Sequence, residues 1–185
     1  MTSSLSNDLD VAQPLHISLS RSLQVPTQRR EELLSSMRSA ITSSRVNRFD
    51  IAPGGLKWVS NYDQTRWFLA LELEKPENDG LNRLLKACNQ AAFAQQYPTL
   101  YTETNDQSAD FSKYFHFSLA WSLIPDTSHK NMTAMLEKVW ATTAGIECQK
   151  LQISTDAVLL KIGNTIHSFN LGSKTAALGL NSTFR

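Results

Sequence analysis

The chain has 185 residues, 41% apolar and 19% charged, with a net charge of +1 and two cysteines. Those figures suit one ordinary folded domain and exclude a disulfide-built scaffold and a strongly basic domain, so any polyanion site must be a local patch. No apolar run is long enough to span a membrane, and the opening MTSSLSNDLDVAQP has neither the basic lead nor the apolar centre of a secretory signal, so no membrane partner is expected.

The first patterned stretch is LHISLSRS from Leu15, which reads as a strand. Side chains two apart share a face, so His16, Ser18, Ser20 and Ser22 point one way and Leu15, Ile17 and Leu19 the other. A helix follows, opened by Pro26 and Thr27, with Leu33, Leu34, Met37 and Ile41 at helical spacing. VNRFDIAP reads as a short strand broken by Pro53 to Gly55, and LKWVSN and TRWFLALELE as two more strands around a polar turn. A second helix is predicted from near Glu77 to Gln96, its stripe made of Leu81, Leu84, Leu85, Cys88, Ala92 and Phe93. After the polar loop TETNDQSAD, KYFHFSLAWS reads as a strand. NMTAMLEKVWATTAG is a third predicted helix, with Met132, Met135, Leu136, Val139 and Trp140 inward and Gly145 past its end. ECQKLQIS and AVLLKIGNTIHSFNL close the pattern, with Gly163-Asn164 marking a two-residue hairpin. The tail from Gly172 is small and polar and is expected to be loosely ordered.

The order repeats: a His-x-Ser strand, a helix and three strands, a bridging helix, then the same order again. The pattern predicts an α+β chain of two pseudo-symmetric lobes within a single domain over 1–185. The first His-x-Ser repeat covers about 15–75, the bridging helix about 77–97 and the second repeat about 111–171. A two-fold arrangement would set equivalent strands side by side.

In the second copy, FHFSLAWS, the residues His116, Ser118, Ala120 and Ser122 share one face and Phe115, Phe117, Leu119 and Trp121 the other. The bland alternative is two packed or surface histidines. The functional reading rests on chemistry. An unperturbed imidazole titrates near ~6.5, so two of them in one cleft can supply one neutral and one protonated ring near neutral pH, which suits phosphodiester chemistry. Serines two residues along are suited to donate to the phosphoryl oxygens. No metal or other cofactor is called for, because no His, Asp or Glu spacing resembles a ligand set. His129 falls in a polar loop and His167 reads as a partly buried strand residue. Phe111 and Tyr114, just before His116, are candidates to stack an RNA base. The four tryptophans read as core, and Lys57, Arg66, Lys113 and Lys161 each as a solvated surface cation, with a modest phosphate-facing patch as the alternative. Cys88 and Cys148 read as buried reduced thiols, and the sequons at Asn131 and Asn181 as chance.

Paired His-x-Ser strands in a two-lobed chain resemble the two-histidine phosphoesterase superfamily. FHFSLAW and LHISLSRS are similar to the two motifs of its U6 small nuclear RNA phosphodiesterase branch, KWVSNYDQTRWFLALEL to its middle strand pair and KIGNTIHSFNL to its closing hairpin. The resemblance runs from about His16 to Leu171. It implies antiparallel sheets with helices on their outer faces and an active-site cleft between the lobes. It also implies a monomeric, metal-independent, nuclear 3′-to-5′ exoribonuclease that trims the oligouridine tail of U6 RNA. The ribose 2′-hydroxyl would be the nucleophile and the product a 2′,3′-cyclic phosphate or its opened form. Carried over, His16 is the general base, His116 the general acid, and Ser18 and Ser118 bind the phosphoryl oxygens. Where relatives place a stacking tyrosine six residues before the second histidine, this chain has Asp110. Relatives also carry a longer polar extension than the fifteen residues preceding His16. Two alternatives stay open: a related enzyme acting on other cyclic phosphates, of RNA ligase-like or small cyclic nucleotide type, and a non-catalytic RNA-binding module.

Overall fold

The stripe Leu33, Leu34, Met37 and Ile41 is buried along its whole length, and it seats the first helix, α1 (Arg30–Ser43), on the core. The computed structural model of the chain describes residues 2–4, 14–61, 63–102, 109–123 and 129–173. A 3₁₀ turn, Thr27–Arg29, begins after Pro26 as expected and leads into α1. The fold is mixed α and β with antiparallel sheets. Strands β1 (Thr2–Ser3), β3 (Pro53–Ser60), β4 (Trp67–Leu73) and β5 (His116–Ser122) form a four-stranded sheet in the order β1-β5-β4-β3. Strand β2 (Phe49–Ile51) pairs with β6 (Ile153–Thr155), and β7 (Ala157–Ile162) with β8 (Thr165–Asn170). The hairpin between β7 and β8 turns at Gly163, whose φ of 59° suits a residue without Cβ.

Helix α2 (Gly80–Ala94) is the bridging helix, lying against α1. Leu81, Leu84, Leu85, Cys88 and Ala92 are buried as predicted, whereas Phe93 faces solvent. The core lies where α1 and α2 meet β2, Phe111, Phe115, Val158, Phe169 and Leu171. Cys88 is buried there, which pushes its thiol up to about 12; Cys148 is only half-buried.

Several expectations are corrected. Residues 15–22 form no strand: they bend at Leu19 and Ser20 and pair in no ladder among the described residues, and Thr2–Ser3 lies beside β5 instead. Pro53 to Gly55 does not interrupt the sheet; it is the start of β3, and a register shift there absorbs the irregular residues. The third predicted helix is two, α3 (His129–Trp140) and α4 (Thr143–Gln149), both against β3. Thr142 caps α4 by accepting from the Gly145 amide, so the chain restarts a helix where one was read as continuing. Gly145 therefore lies inside α4, where a Cβ would collide with the Trp140 carbonyl. Of the inward stripe predicted for α3, Leu136 is buried, while Met135 (59% exposed) and Val139 face solvent. His129, expected in a loop, is the first residue of α3; its side chain lies outside the described residues. Gly172 is held by a bridge to Asn47, so the chain is anchored one residue beyond the predicted end of order. The tail from residue 174 and most of the TETNDQSAD loop lie outside the described residues.

What positions the second motif is polar. Asn82 of α2 is 0% exposed. Its amide nitrogen lies 2.7 Å from the Asp79 carboxylate, 2.8 Å from that of Asp110 and 3.0 Å from the Ser112 hydroxyl. Its carbonyl accepts the Phe111 amide at 2.8 Å. Two turns along the same face, buried Asn89 donates to the Leu100 carbonyl at 3.0 Å and accepts the Leu100 amide at 2.9 Å. Two segments outside helix and strand are thus pinned to one helix. Asp110 also accepts from Lys75 at 2.8 Å and from the Ser112 amide and hydroxyl at 2.9 and 2.6 Å. The Lys75 bond above all holds its carboxyl well below the ordinary carboxylate range.

Leu85, 0% exposed, fills the centre of the core, and Leu85→Ala is expected to cost about 2–5 kcal/mol in urea unfolding, against less than about 0.5 kcal/mol for the outward-facing Met135→Ala. Because the folded-state pKa of Asp110 is depressed, its contribution is present above the unfolded carboxylate value of about 4 and is lost as pH falls below it. Asp110→Asn should therefore unfold earlier than the parent at pH 7, and the gap in midpoints should narrow as pH drops below about 4.

Candidate active site

Strand β5 carries the second motif. Phe115 and Phe117 are buried on one face, and His116 and Ser118 are half-buried on the other. Across the ladder His116 stands opposite Glu72 of β4, and Ser118 opposite Ala70. Lys57 of β3 stands opposite Ala70 in turn, so Lys57, Glu72 and His116 rise from one face of the sheet. Lys57 donates to the Lys113 carbonyl at 2.6 Å and pairs with Glu72 at 3.2 Å.

The first motif has the same alternation without the ladder. Ile17 and Leu19 pack against the core, followed by Leu23 and Val25, while His16 and Ser18 are exposed. The two histidines share a further feature. His116 Nδ1 lies 2.7 Å from the Tyr114 carbonyl, and His16 Nδ1 lies 3.3 Å from the Pro14 carbonyl. Each ring is tethered to the carbonyl two residues before it. A carbonyl only accepts, so each Nδ1 carries its hydrogen, and the lone pair of the neutral ring sits on Nε2, the nitrogen left for chemistry.

The second ring also feels its surroundings. The His116 imidazole is held below its ordinary pKa mainly by burial; the bond to the Tyr114 carbonyl opposes this, and the charges of Lys57 and His16 add to it. A positive charge at His16 therefore works in the same direction as burial, against protonation of His116. Among the described residues no group of three His, Cys, Asp or Glu side chains gathers as a metal site would.

The rings before His116 differ in exposure. Phe111 is 6% exposed in the core, so it has no open face for a base, a correction to its candidacy. Tyr114 is 42% exposed and belongs to a 3₁₀ turn, Ser112–Tyr114, directly before β5. Asp110, at the position of the expected tyrosine, is taken up by Lys75, Asn82 and Ser112. Of the four cations, Lys57 reaches the motif, Lys113 lies over the Tyr114 ring, Arg66 lies over the Trp121 ring and Lys161 sits apart on the β7–β8 hairpin. Trp58, Trp67, Trp121 and Trp140 are half-buried, and so is His167.

Three neighbours escaped the sequence reading. Glu72 was legible only as one polar residue in an apolar strand, and its place beside His116 depends on register. Asn82 sits inside an apolar stripe, the one local sign that a buried partner awaited it. Tyr101, whose ring stacks on Tyr114, carries no local signal at all.

A family model described as HVSL, an uncharacterised conserved protein, matches residues 1–170. The chain is 30% identical to U6 snRNA phosphodiesterase 1 of Neurospora crassa, in an alignment covering 95% of this chain and 52% of that protein. It is 26% identical to U6 snRNA phosphodiesterase 1 of Drosophila melanogaster, covering 89% of this chain and 58% of that protein. The chain thus spans about half the length of the curated relatives it matches. Two solved structures of Kluyveromyces marxianus Usb1, one of them with uridine monophosphate, are 20% identical and share the fold, with TM-scores of 0.60 and 0.61. Each alignment covers 92% of this chain, and 80% and 81% of those chains. A fold with two tethered His-x-Ser motifs, a family model over nearly the whole described chain and relatives of one name together place this chain in the HVSL family, that of the U6 small nuclear RNA phosphodiesterases.

Proposed function

We propose that the chain is a 3′-to-5′ RNA exonuclease that trims the oligouridine end of U6 RNA in the nucleus, working as a monomer with two pseudo-symmetric lobes flanking one cleft. The observation that carries the reading is the matched pair of His-x-Ser imidazoles, each held through Nδ1 by the carbonyl two residues before it. The names of the two relatives and the uridine monophosphate bound by the Kluyveromyces marxianus protein support RNA as the substrate class.

In the proposed reaction His16 Nε2 takes the proton of the penultimate ribose 2′-hydroxyl. That oxygen attacks the adjacent phosphorus, a 2′-O–P bond forms and the P–O5′ bond breaks. His116 Nε2 gives its proton to the departing 5′-oxygen. The terminal nucleoside leaves, and the shortened RNA keeps a 2′,3′-cyclic phosphate, which water then opens in some turnovers. Ser18 and Ser118 donate to the phosphoryl oxygens as charge builds there, and Tyr114 offers its exposed face to the terminal base. No step calls for a metal.

Burial leaves His116 mostly neutral in the free protein at neutral pH, which by itself opposes a role as acid. A phosphodiester in the cleft carries a negative charge and raises the imidazole pKa, so the acid form builds up in the loaded site. The alkaline limb of the rate profile should therefore lie at lower pH in kcat/KM, which reports the free protein, than in kcat, which reports the complex. Coinciding alkaline limbs would show that the bound phosphodiester does not raise the His116 pKa, and a profile in which His116 governs the acidic limb would reverse the assignment of acid and base.

His16→Ala and His116→Ala are each expected to slow shortening of a 3′-oligouridylated RNA by about 10²–10⁴-fold while thermal unfolding stays close to that of the parent. EDTA should leave the rate unchanged, and a 2′-deoxyribose at the attacking position should stop cleavage. Mapping the ends separates the alternatives. Opening of small cyclic phosphates without shortening points to a different cyclic phosphodiesterase, and binding without turnover to an RNA-binding module.

A further inference from the structure

The Tyr114 carbonyl, which tethers His116, has a second donor. The Tyr101 hydroxyl donates to the same oxygen at 3.2 Å, while His116 Nδ1 donates at 2.7 Å. The Tyr101 ring also stacks on the Tyr114 ring, with centroids 5.0 Å apart and planes 21° from parallel. One side chain thus holds Tyr114 by both its ring and its backbone. We propose that Tyr101 is a positioning residue that ties the aromatic platform for the terminal base to the imidazole that hands over the proton. The inference deepens the function proposed above and rests on it for the nature of the substrate.

Tyr101 is built to stay in place. Its backbone has a φ of 65°, a left-handed conformation that a bulky residue adopts only when its surroundings hold it there. The adjacent Leu100 is fixed by both amide groups of Asn89, and the Thr99 hydroxyl donates to the Thr102 carbonyl. The ring edge meets Phe115 at 6.1 Å, so it is braced from the core. Burial pushes its phenol up to about 12, which keeps the hydroxyl a donor across the working pH range.

Two donors on one carbonyl compete for its electron density. The Tyr101 bond makes the Tyr114 oxygen a weaker acceptor for the imidazolium and so favours the neutral His116 ring. The other charged or titratable groups facing His116 are Lys57 on β3, Glu72 on β4 and His16 in the first motif, with Lys113 in the preceding turn; Tyr101→Phe keeps the ring stack on Tyr114, over which Lys113 lies.

The test pairs Tyr101→Phe, which keeps the ring and removes the hydroxyl, with Tyr101→Leu, which removes both. Titration of the His116 imidazole by NMR in the free protein should show its midpoint rising by roughly 0.3 to 1 pH unit in both variants. Uridine monophosphate should bind Tyr101→Phe as it binds the parent, and Tyr101→Leu about 3- to 10-fold more weakly because the platform has lost its backing. A midpoint unmoved in Tyr101→Phe overturns the link to the imidazole, and unweakened binding in Tyr101→Leu overturns the link to the platform. Should Tyr101→Leu fail to fold, the binding arm passes to Tyr101→Asn, which tolerates the left-handed backbone, and Tyr101→Phe still decides the first. The titration does not depend on turnover. A parent protein that shortens no RNA would sink the proposed function and leave the coupling standing, and cleavage with an unmoved midpoint would do the reverse.

Discussion

The second motif depends on two amide side chains buried in helix α2. A primary amide taken out of water is costly unless its groups are paired. Asn82 and Asn89 meet that condition by capturing backbone from two segments outside helix and strand: Phe111 through Asn82 and Leu100 through Asn89. Neither segment has a ladder of its own among the described residues, and each supplies an aromatic residue near His116. The helix is apolar where it meets α1 and polar where it grips these segments, so one element serves both the core and the site. Such a network favours one arrangement strongly, because loosening any member leaves the others buried and unpaired.

From that anchor the geometry propagates through short links. Asn82 and Asp110 hold the turn before β5; the turn aims the Tyr114 carbonyl; the carbonyl fixes the His116 ring. The first motif reaches the same imidazole tether by weaker means. Its chain is held by Ile17, Leu19, Leu23 and Val25 against the core, and its tether to the Pro14 carbonyl is longer than that of His116. One ring is thus set in a strand and the other stands exposed on a segment that joins no ladder among the described residues. That difference places the deeper desolvation on His116, and with it the depressed pKa.

The local period of the chain was legible to a large extent. Residues at helical spacing in α1 and most of α2 are the ones buried, the alternation at Phe115 to Ser118 matches the exposure, and the turn at Gly163-Asn164 forms where it reads. The two His-x-Ser copies announced themselves because their apolar and polar faces alternate whether or not a ladder forms. The misreadings have a common cause. Met135 and Val139 share the spacing of a buried stripe, but periodicity identifies a face without saying whether anything covers it. The break between α3 and α4 hinges on one threonine that competes for a backbone amide, and Pro53 to Gly55 is absorbed by a register shift that no local rule foresees.

By itself the sequence determined the residue types at the two motifs, their alternation and the helices that bury α1 and α2 against each other, because these follow from neighbours a few positions apart. Only the tertiary structure decided which ring before His116 is open, since Phe111 and Tyr114 are equally aromatic in sequence and only one of them is walled in by the core. It also decided that Lys57 and Glu72 share a face with His116 and that Tyr101 reaches the carbonyl behind it. Those contacts join residues far apart in the chain, and the free energy that selects them comes from burying apolar surface and pairing buried amides across elements, quantities that no local window of sequence contains.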